Sequence, residues 1–222
     1  MVDQLEHAGF EIRRSIFTAR EIELMRSEAS RIAQAESSVC IRNLCAKSKF
    51  FSDLAYSDVL KSLLPDGVAP VRSILFDKTP SQNWPVLWHQ DLTISTTEEH
   101  PVEHYTNWSI KDGACHVQPP LNVLESMVTA RIHLDSTPKS NGALWVAPGS
   151  HRLGRLPSDQ IDIDETQAVI CECEPGDVLL MSPLILHASK KSVGQERHRR
   201  VVHIEFADRS TLAPELQWAE AA

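Results

Sequence analysis

The sequence predicts a mainly β chain, a two-sheet jelly roll with supporting helices packed on one sheet. Three observations predict it. Helical periodicity is confined to the first 69 residues, short β-like runs punctuated by Pro, Gly and Asn dominate residues 70–207, and no heptad or internal repeat is visible. With 222 residues, the chain suits one domain, 1–222, and a compact chain of that size hides roughly 70% of the surface its unfolded form exposes. It therefore needs no disulfide or metal staple to fold.

Taken in order, Gly9-Phe10-Glu11-Ile12 reads as a short strand. Thr18 and Glu21 form a capping-box pattern, and Ile22, Met25, Ala29, Ile32 and Ala33 recur at helical spacing, so a helix follows. A second helix is expected from Ser52 to Leu64, ended by Pro65-Asp66-Gly67. Residues 1–69 thus supply helical support. Eight β-like runs follow, near 71–77, 87–91, 128–135, 143–147, 168–173, 178–182, 184–189 and 199–207. Ser140-Asn141-Gly142, Pro148-Gly149-Ser150, Pro175-Gly176-Asp177 and Ser182-Pro183 mark turns between them, and the whole makes a jelly-roll core over 70–207. Residues 92–127 are too many for a passive loop and are expected to form a lid or pocket wall with local structure.

Composition excludes several function classes. With 22 Lys+Arg against 30 Asp+Glu, the net charge of −8 argues against nucleic acid and anionic membrane as partners. No apolar run reaches the length of a membrane span, and the first residues carry neither a basic start nor a signal-peptide core. The five cysteines are scattered, and Cys171 and Cys173 share a strand face without disulfide geometry, so a reduced, cytoplasmic, soluble protein is expected. The ten histidines are the total that points to chemistry.

A strand places residues i and i+2 on one side, and three pairs here have that spacing: His89 with Asp91, His133 with Asp135, and His203 with Glu205. Such a pair is common by chance, so context must choose. A non-haem Fe(II) oxygenase holds its metal with two His and one carboxylate on a single face, leaving three positions open. In an eight-stranded β-helix carrying that site, the His-x-Asp pair ends the second strand and the other His lies on the seventh. His89 and Asp91 fall on the second run and His187 on the seventh; His133 would leave too few strands before His187, and His203 comes too late. The count selects His89, Asp91 and His187 as metal ligands.

Several segments in sequence then carry a family likeness. They are Phe76-Asp77-Lys78-Thr79-Pro80, Trp88-His89-Gln90-Asp91, Asn141 to His151, His187-Ala188-Ser189 and Arg199-Arg200. In order and spacing this set resembles the phytanoyl-CoA hydroxylase family, from the Gly9-Phe10 strand to Phe206. The resemblance implies a cupin-like double-stranded β-helix, Fe(II) as metal, and 2-oxoglutarate and O2 as co-substrates yielding succinate and CO2. It implies an oxidoreductase that hydroxylates a small molecule, with desaturation or another oxidation as variants. Asp91 stands where halogenating relatives carry a small residue, which favours hydroxylation. A binding module that has lost the chemistry, or a cupin-type hydrolase or isomerase using Zn or Mn, are the competing classes; a broken triad or a missing arginine would mark the module, and neither is seen.

The distal carboxylate of 2-oxoglutarate calls for a planar, bidentate cation. Arg199, twelve residues after His187, matches the family spacing, with Arg197 and Arg200 as rivals. Arg200 shares its strand face with Val202, Ile204 and Phe206, the side expected against the helices. Ser189 is a second donor to the same carboxylate, and Lys78 matches a co-substrate-binding position or else is a solvated loop lysine. Arg131 departs from the family, where tryptophan is frequent; it adds a pocket cation or pairs with Asp135 on the same predicted face. Trp84, Trp108, Arg42 and His116 are secondary pocket candidates, His151 belongs to a turn, and Lys190-Lys191 with Arg197–Arg200 is the one basic cluster available to phosphates.

Overall fold

The computed structural model describes residues 4–79, 82–111, 113–193 and 198–220. Helix α1 (Gln4–Ala8) leads into β1 (Phe10–Arg13) and the long helix α2 (Ala19–Glu36). Next come β2 (Cys40–Arg42), three short helices α3 (Leu44–Lys47), α4 (Lys49–Ala55) and α5 (Asp58–Lys61), and the long strand β3 (Val68–Lys78). Then follow β4 (Val86–His89), β5 (Ile94–Thr96), β6 (Thr106–Lys111), β7 (Ala114–Gln118) and α6 (Leu121–Glu125). The remainder is β8 (Met127–His133), β9 (Leu144–Val146), β10 (Val169–Cys171), β11 (Val178–Met181), β12 (His187–Ser189) and β13 (Arg199–Asp208).

Each of the eight expected runs contains a strand, and they divide between two antiparallel sheets. One sheet runs β1-β11-β8-β13-β3-β2 and the other β10-β9-β12-β4. This is a double-stranded β-helix. Helix α2 begins at the expected capping box: Thr18 N–H donates to Glu21 Oε2 at 2.8 Å and Glu21 N–H to Thr18 Oγ1 at 3.3 Å. Its Ile22, Met25, Ala29 and Ile32 are buried with Val128, Ala130, Ile132, Val202, Ile204 and Phe206, so α2 covers the outer face of the six-stranded sheet. Complete burial of each large aliphatic or aromatic side chain contributes about 1.5–3 kcal/mol, which fixes the sheet against its helices.

Two elements differ from expectation. The helix over Ser52–Leu64 is interrupted at Tyr56-Ser57, because Ser57 Oγ accepts from Leu60 N–H at 3.3 Å and starts a new helix. The run 184–189 is a strand only from His187; Pro183 turns the preceding residues, with Ile185 N–H bonded to Ser182 O at 3.2 Å. Residues 92–127 form a third sheet, β5-β7-β6, followed by α6. Ile94, Val117, Val123 and Leu124 from this segment pack with Leu212, Leu216 and Trp218 near the C-terminal end. No described helix is long and apolar enough to cross a membrane.

Candidate active site

The β4–β12 pairing brings His89 directly opposite His187. Their rings lie 4.2 Å apart between centroids. His89 Nδ1 is 2.8 Å from Leu87 O, and His187 Nδ1 is 2.9 Å from Ile185 O. A ring nitrogen facing a carbonyl must carry the proton, so both Nε2 lone pairs are available to a metal. Asp91 lies just beyond β4, held by its N–H to Pro183 O at 2.9 Å. Its Oδ1 is 3.7 Å from His89 Nε2 and its Oδ2 is 3.6 Å from His187 Nε2. All three ligand atoms lie within 4.8 Å of one another. Gln90 points away and staples the strand end, donating to Gly154 O at 2.8 Å and Leu184 O at 2.7 Å.

The protonation states suit a metal. Burial lowers His187 to about 4, against the opposing pull of Asp91, so its imidazole is neutral at pH 7. Burial works to raise Asp91, but electrostatic attraction to the neighbouring His187, His203, His89 and Arg72 outweighs it and holds the carboxyl at about 2. Two imidazoles with their Nε2 atoms turned to the cavity and an ionised carboxylate on its wall fit the open, three-ligand site of a non-haem Fe(II) enzyme.

That cavity, of about 200 Å³, is also lined by Arg42, Arg72, Lys78, Arg131, Arg199 and Ser189. Arg199 and Lys78 are register partners on β13 and β3, both almost wholly buried. The carbonyl of Gly142 orients two of these side chains: it accepts from Arg199 Nη1 at 2.8 Å and from Ser189 Oγ at 3.1 Å. Gly142 itself has φ +71°, and a Cβ there would meet Lys190 O at 2.9 Å, so the Asn141-Gly142 turn requires glycine. Lys78 Nζ donates to Ser189 Oγ at 3.1 Å and lies 5.4 Å from the Trp84 ring centroid. Burial, then the Arg199 and Arg131 charges, lower Lys78 to about 7. Burial, then Arg131, lower Arg199 to about 9.

The family model for phytanoyl-CoA dioxygenase matches residues 5–201. The chain belongs to the phytanoyl-CoA dioxygenase family. It is a 2-oxoglutarate-dependent non-haem iron oxygenase. No curated protein matches the sequence. Similar solved structures include the non-haem α-ketoglutarate-dependent epimerase SnoN from nogalamycin biosynthesis, 16% identical over 93% of this chain and 80% of that one, with a TM-score of 0.68. HygX from Streptomyces hygroscopicus, solved with nickel and 2-oxoglutarate, is 18% identical over 91% and 83% of the two chains, with a TM-score of 0.62. EctD from S. alaskensis, solved with Fe, is 19% identical over 93% and 75%, with a TM-score of 0.70.

Other expectations about this family member need correction. Arg131 does not pair with Asp135. Its Nη1 donates to His203 Nδ1 at 2.9 Å, while Asp135 binds Arg200 at 2.8 and 2.9 Å and Arg26 at 3.2 Å on the opposite face. The reason is that β8 ends at His133, so the strand alternation no longer governs Asp135. Lys78 is buried at the cavity, not a solvated loop residue. Trp84 and Arg42 line the cavity; Trp108 packs against the 92–127 cluster, and among the described residues none of that segment is on the cavity lining. His116 is buried beside Ser95, and His151 Nε2 lies 3.0 Å from Glu6 O. Arg197 and Pro80 lie outside the described residues.

Sequence reasoning did not place Arg72 at the site, and weighed His203 and Glu205 only as a metal-binding pair, whereas all three line the cavity. The signal existed. Once Arg200, Val202, Ile204 and Phe206 are placed outward, the alternation of β13 turns Arg199, Val201, His203 and Glu205 inward.

Proposed function

We propose that this oxygenase hydroxylates a small-molecule substrate, releasing succinate and CO2 from 2-oxoglutarate. The observation that carries the reading is the meeting of the three ligand atoms of His89, Asp91 and His187 on a cavity that also holds Arg199. Bound iron supplies the oxidising power for attack on an unactivated C–H bond, using O2 and 2-oxoglutarate. The chain's own residues do the rest. His89, Asp91 and His187 hold the metal. Arg199, oriented by Gly142 O, and Ser189 anchor the distal carboxylate of 2-oxoglutarate. Arg131 and Lys78 add positive charge beside it, and Phe76, Trp84, Val86 and Leu144 supply the apolar part of the wall. Asp91 occupies the coordination position that a halide would need, which supports hydroxylation.

The test is anaerobic loading with Fe(II) and 2-oxoglutarate, followed by oxygen and measurement of succinate. His89→Ala and His187→Ala are expected to lose metal and cut succinate formation by more than about a hundredfold, since disturbing even the partners of metal ligands costs roughly 10–100-fold. Full iron binding and full turnover by His89→Ala would refute the ligand assignment. A product mass increased by one oxygen atom identifies hydroxylation; loss of two hydrogens identifies desaturation instead.

A further inference from the structure

The inward residues of the six-stranded sheet form a grid. Register places Arg199 beside Lys78, Val201 beside Phe76, His203 between Ile74 and Arg131, and Glu205 between Arg72 and Thr129. Along β13 the Arg199 row and the Glu205 row are six residues apart, about 20 Å. That is the spacing of the backbone rows; the long side chains of Arg199 and Arg72 both reach the one cavity, from opposite ends of the strand pair. Between the two end rows of this floor lie Val201 with Phe76, and His203 with Ile74 and Arg131.

The second end is built as tightly as the first. Arg72 Nη1 is fixed by Thr93 O at 3.1 Å and Glu205 Oε1 at 3.2 Å, while its Nε is buried without a partner among the described residues. Glu205 Oε1 also lies 3.2 Å from His203 Nε2, and His203 Nδ1 faces Arg131 Nη1. A guanidinium only donates, so Nδ1 is the acceptor and Nε2–H donates to Glu205. One carboxylate thus serves two guanidiniums, Arg131 through His203 and Arg72 directly.

Size and surroundings narrow the ligand. A cavity of about 200 Å³ is small beside sites for drug-sized ligands, about 300–1,000 Å³. Three described members of the basic cluster are not offered to phosphates: Lys190 pairs with Glu165 at 2.7 Å, Arg200 with Asp135 at 2.8 Å, and Arg199 is turned inward.

We propose that the primary substrate is a compact carboxylate, without a coenzyme A tail, whose anionic group binds Arg72 at the end of the floor remote from Arg199. The proposal rests on the oxygenase reading above. Glu205 and His203 act as positioning residues that hold Arg72 in place.

The experiment loads the full chain with Zn(II) and N-oxalylglycine and titrates matched acids and amides by calorimetry: benzoate and benzamide, cyclohexanecarboxylate and its carboxamide, L-proline and L-prolinamide. At least one acid is expected to bind about tenfold or more tightly than its amide, the size of a lost charge-assisted hydrogen bond. Arg72→Met should bring the pair to equality. Because Arg72→Met strands Glu205, the double variant Arg72→Met/Glu205→Gln is measured beside it and should show the same equality. Amides binding as well as acids, no acid binding up to tens of millimolar, or an acid preference surviving in both variants overturns the proposal. Failure of Zn(II) and N-oxalylglycine themselves to bind the wild type overturns the oxygenase reading, a distinct result.

Discussion

The two faces of the six-stranded sheet bury charge in opposite ways. On the outer face, Asp135 receives both arms of Arg200 and a further contact from Arg26, amid Val202, Ile204 and Phe206 packed under α2. Every charge there is answered by the chain itself. On the inner face, Arg72, Arg131 and Arg199 each keep a buried Nε without a partner among the described residues. The same residue type, on neighbouring positions of β13, is paired within the chain on one side and, on our proposal, a ligand receptor on the other. What separates the roles is whether the counter-charge belongs to the chain.

The comparison breaks first at Asp135. Asp135→Ala leaves Arg200 and Arg26 without their carboxylate, and removing one partner of a buried pair costs about 3–5 kcal/mol. Arg26 is 30% exposed, which favours the lower end, and about 3 kcal/mol lowers Tm by roughly 6–12 °C in a chain of this size. The KM for 2-oxoglutarate in the folded fraction is expected to stay unchanged. Thermal melts and succinate kinetics check both halves; a KM that rises as Tm falls would mean that the two faces are not separable.

Much of this division was legible in the residues. The period-two alternation of β13 put Arg200, Val202, Ile204 and Phe206 under the helices, where they are found. The eight core strands were visible because Asn141-Gly142, Pro175-Gly176 and Ser182-Pro183 punctuate them with backbone requirements that few other residues meet. The convergence of His89, Asp91 and His187 on one point was legible in the strand order. What stayed hidden has physical reasons. Gly142 orients Arg199 through a backbone oxygen, which leaves no mark in a side-chain pattern. Asp135 escaped because alternation stops where pairing stops, two residues earlier at His133. The break at Tyr56-Ser57 was masked because both halves of the segment carry apolar residues at helical spacing. His203 was weighed only as a ligand, and a residue can line a cavity without touching the metal.

Arg131 sharpens the comparison with a smaller effect of mixed sign. Replacing a buried charge that lacks its own counter-ion by a well-packed apolar side chain is often stabilising. Arg131→Met is therefore expected to raise the Tm of the ligand-free protein by roughly 2–4 °C, about 1 kcal/mol. The same change removes a cation from the co-substrate end and should weaken 2-oxoglutarate binding about tenfold. Stability gained while affinity is lost is the signature of charge held for a ligand. A fall in Tm together with unchanged affinity would make Arg131 an ordinary structural residue and erase the contrast with Asp135.

The smallest effect comes from Lys78, and its sign is set by burial. Its pKa is lowered to about 7 in the folded protein, by burial first and then by Arg199 and Arg131, against about 10.4 in an unfolded chain. Between about pH 7 and about pH 10.4 the unfolded chain binds more protons, so the stability of the ligand-free protein rises with pH across that window. Below about pH 7 both states are protonated, and the cost of burying the ammonium is present in full. 2-Oxoglutarate reverses the preference, because a dianion beside Nζ favours the protonated form and its binding takes up a proton. Affinity for 2-oxoglutarate is then expected to weaken a few-fold from about pH 6 to about pH 8, and Lys78→Met should flatten that slope. Direct titration of 2-oxoglutarate into the Zn(II)-loaded protein at several pH values decides it; an undiminished slope in Lys78→Met assigns the proton to another group. Such a slope has no counterpart on the outer face, where Asp135 and Arg200 hold each other's charge whether or not anything is bound.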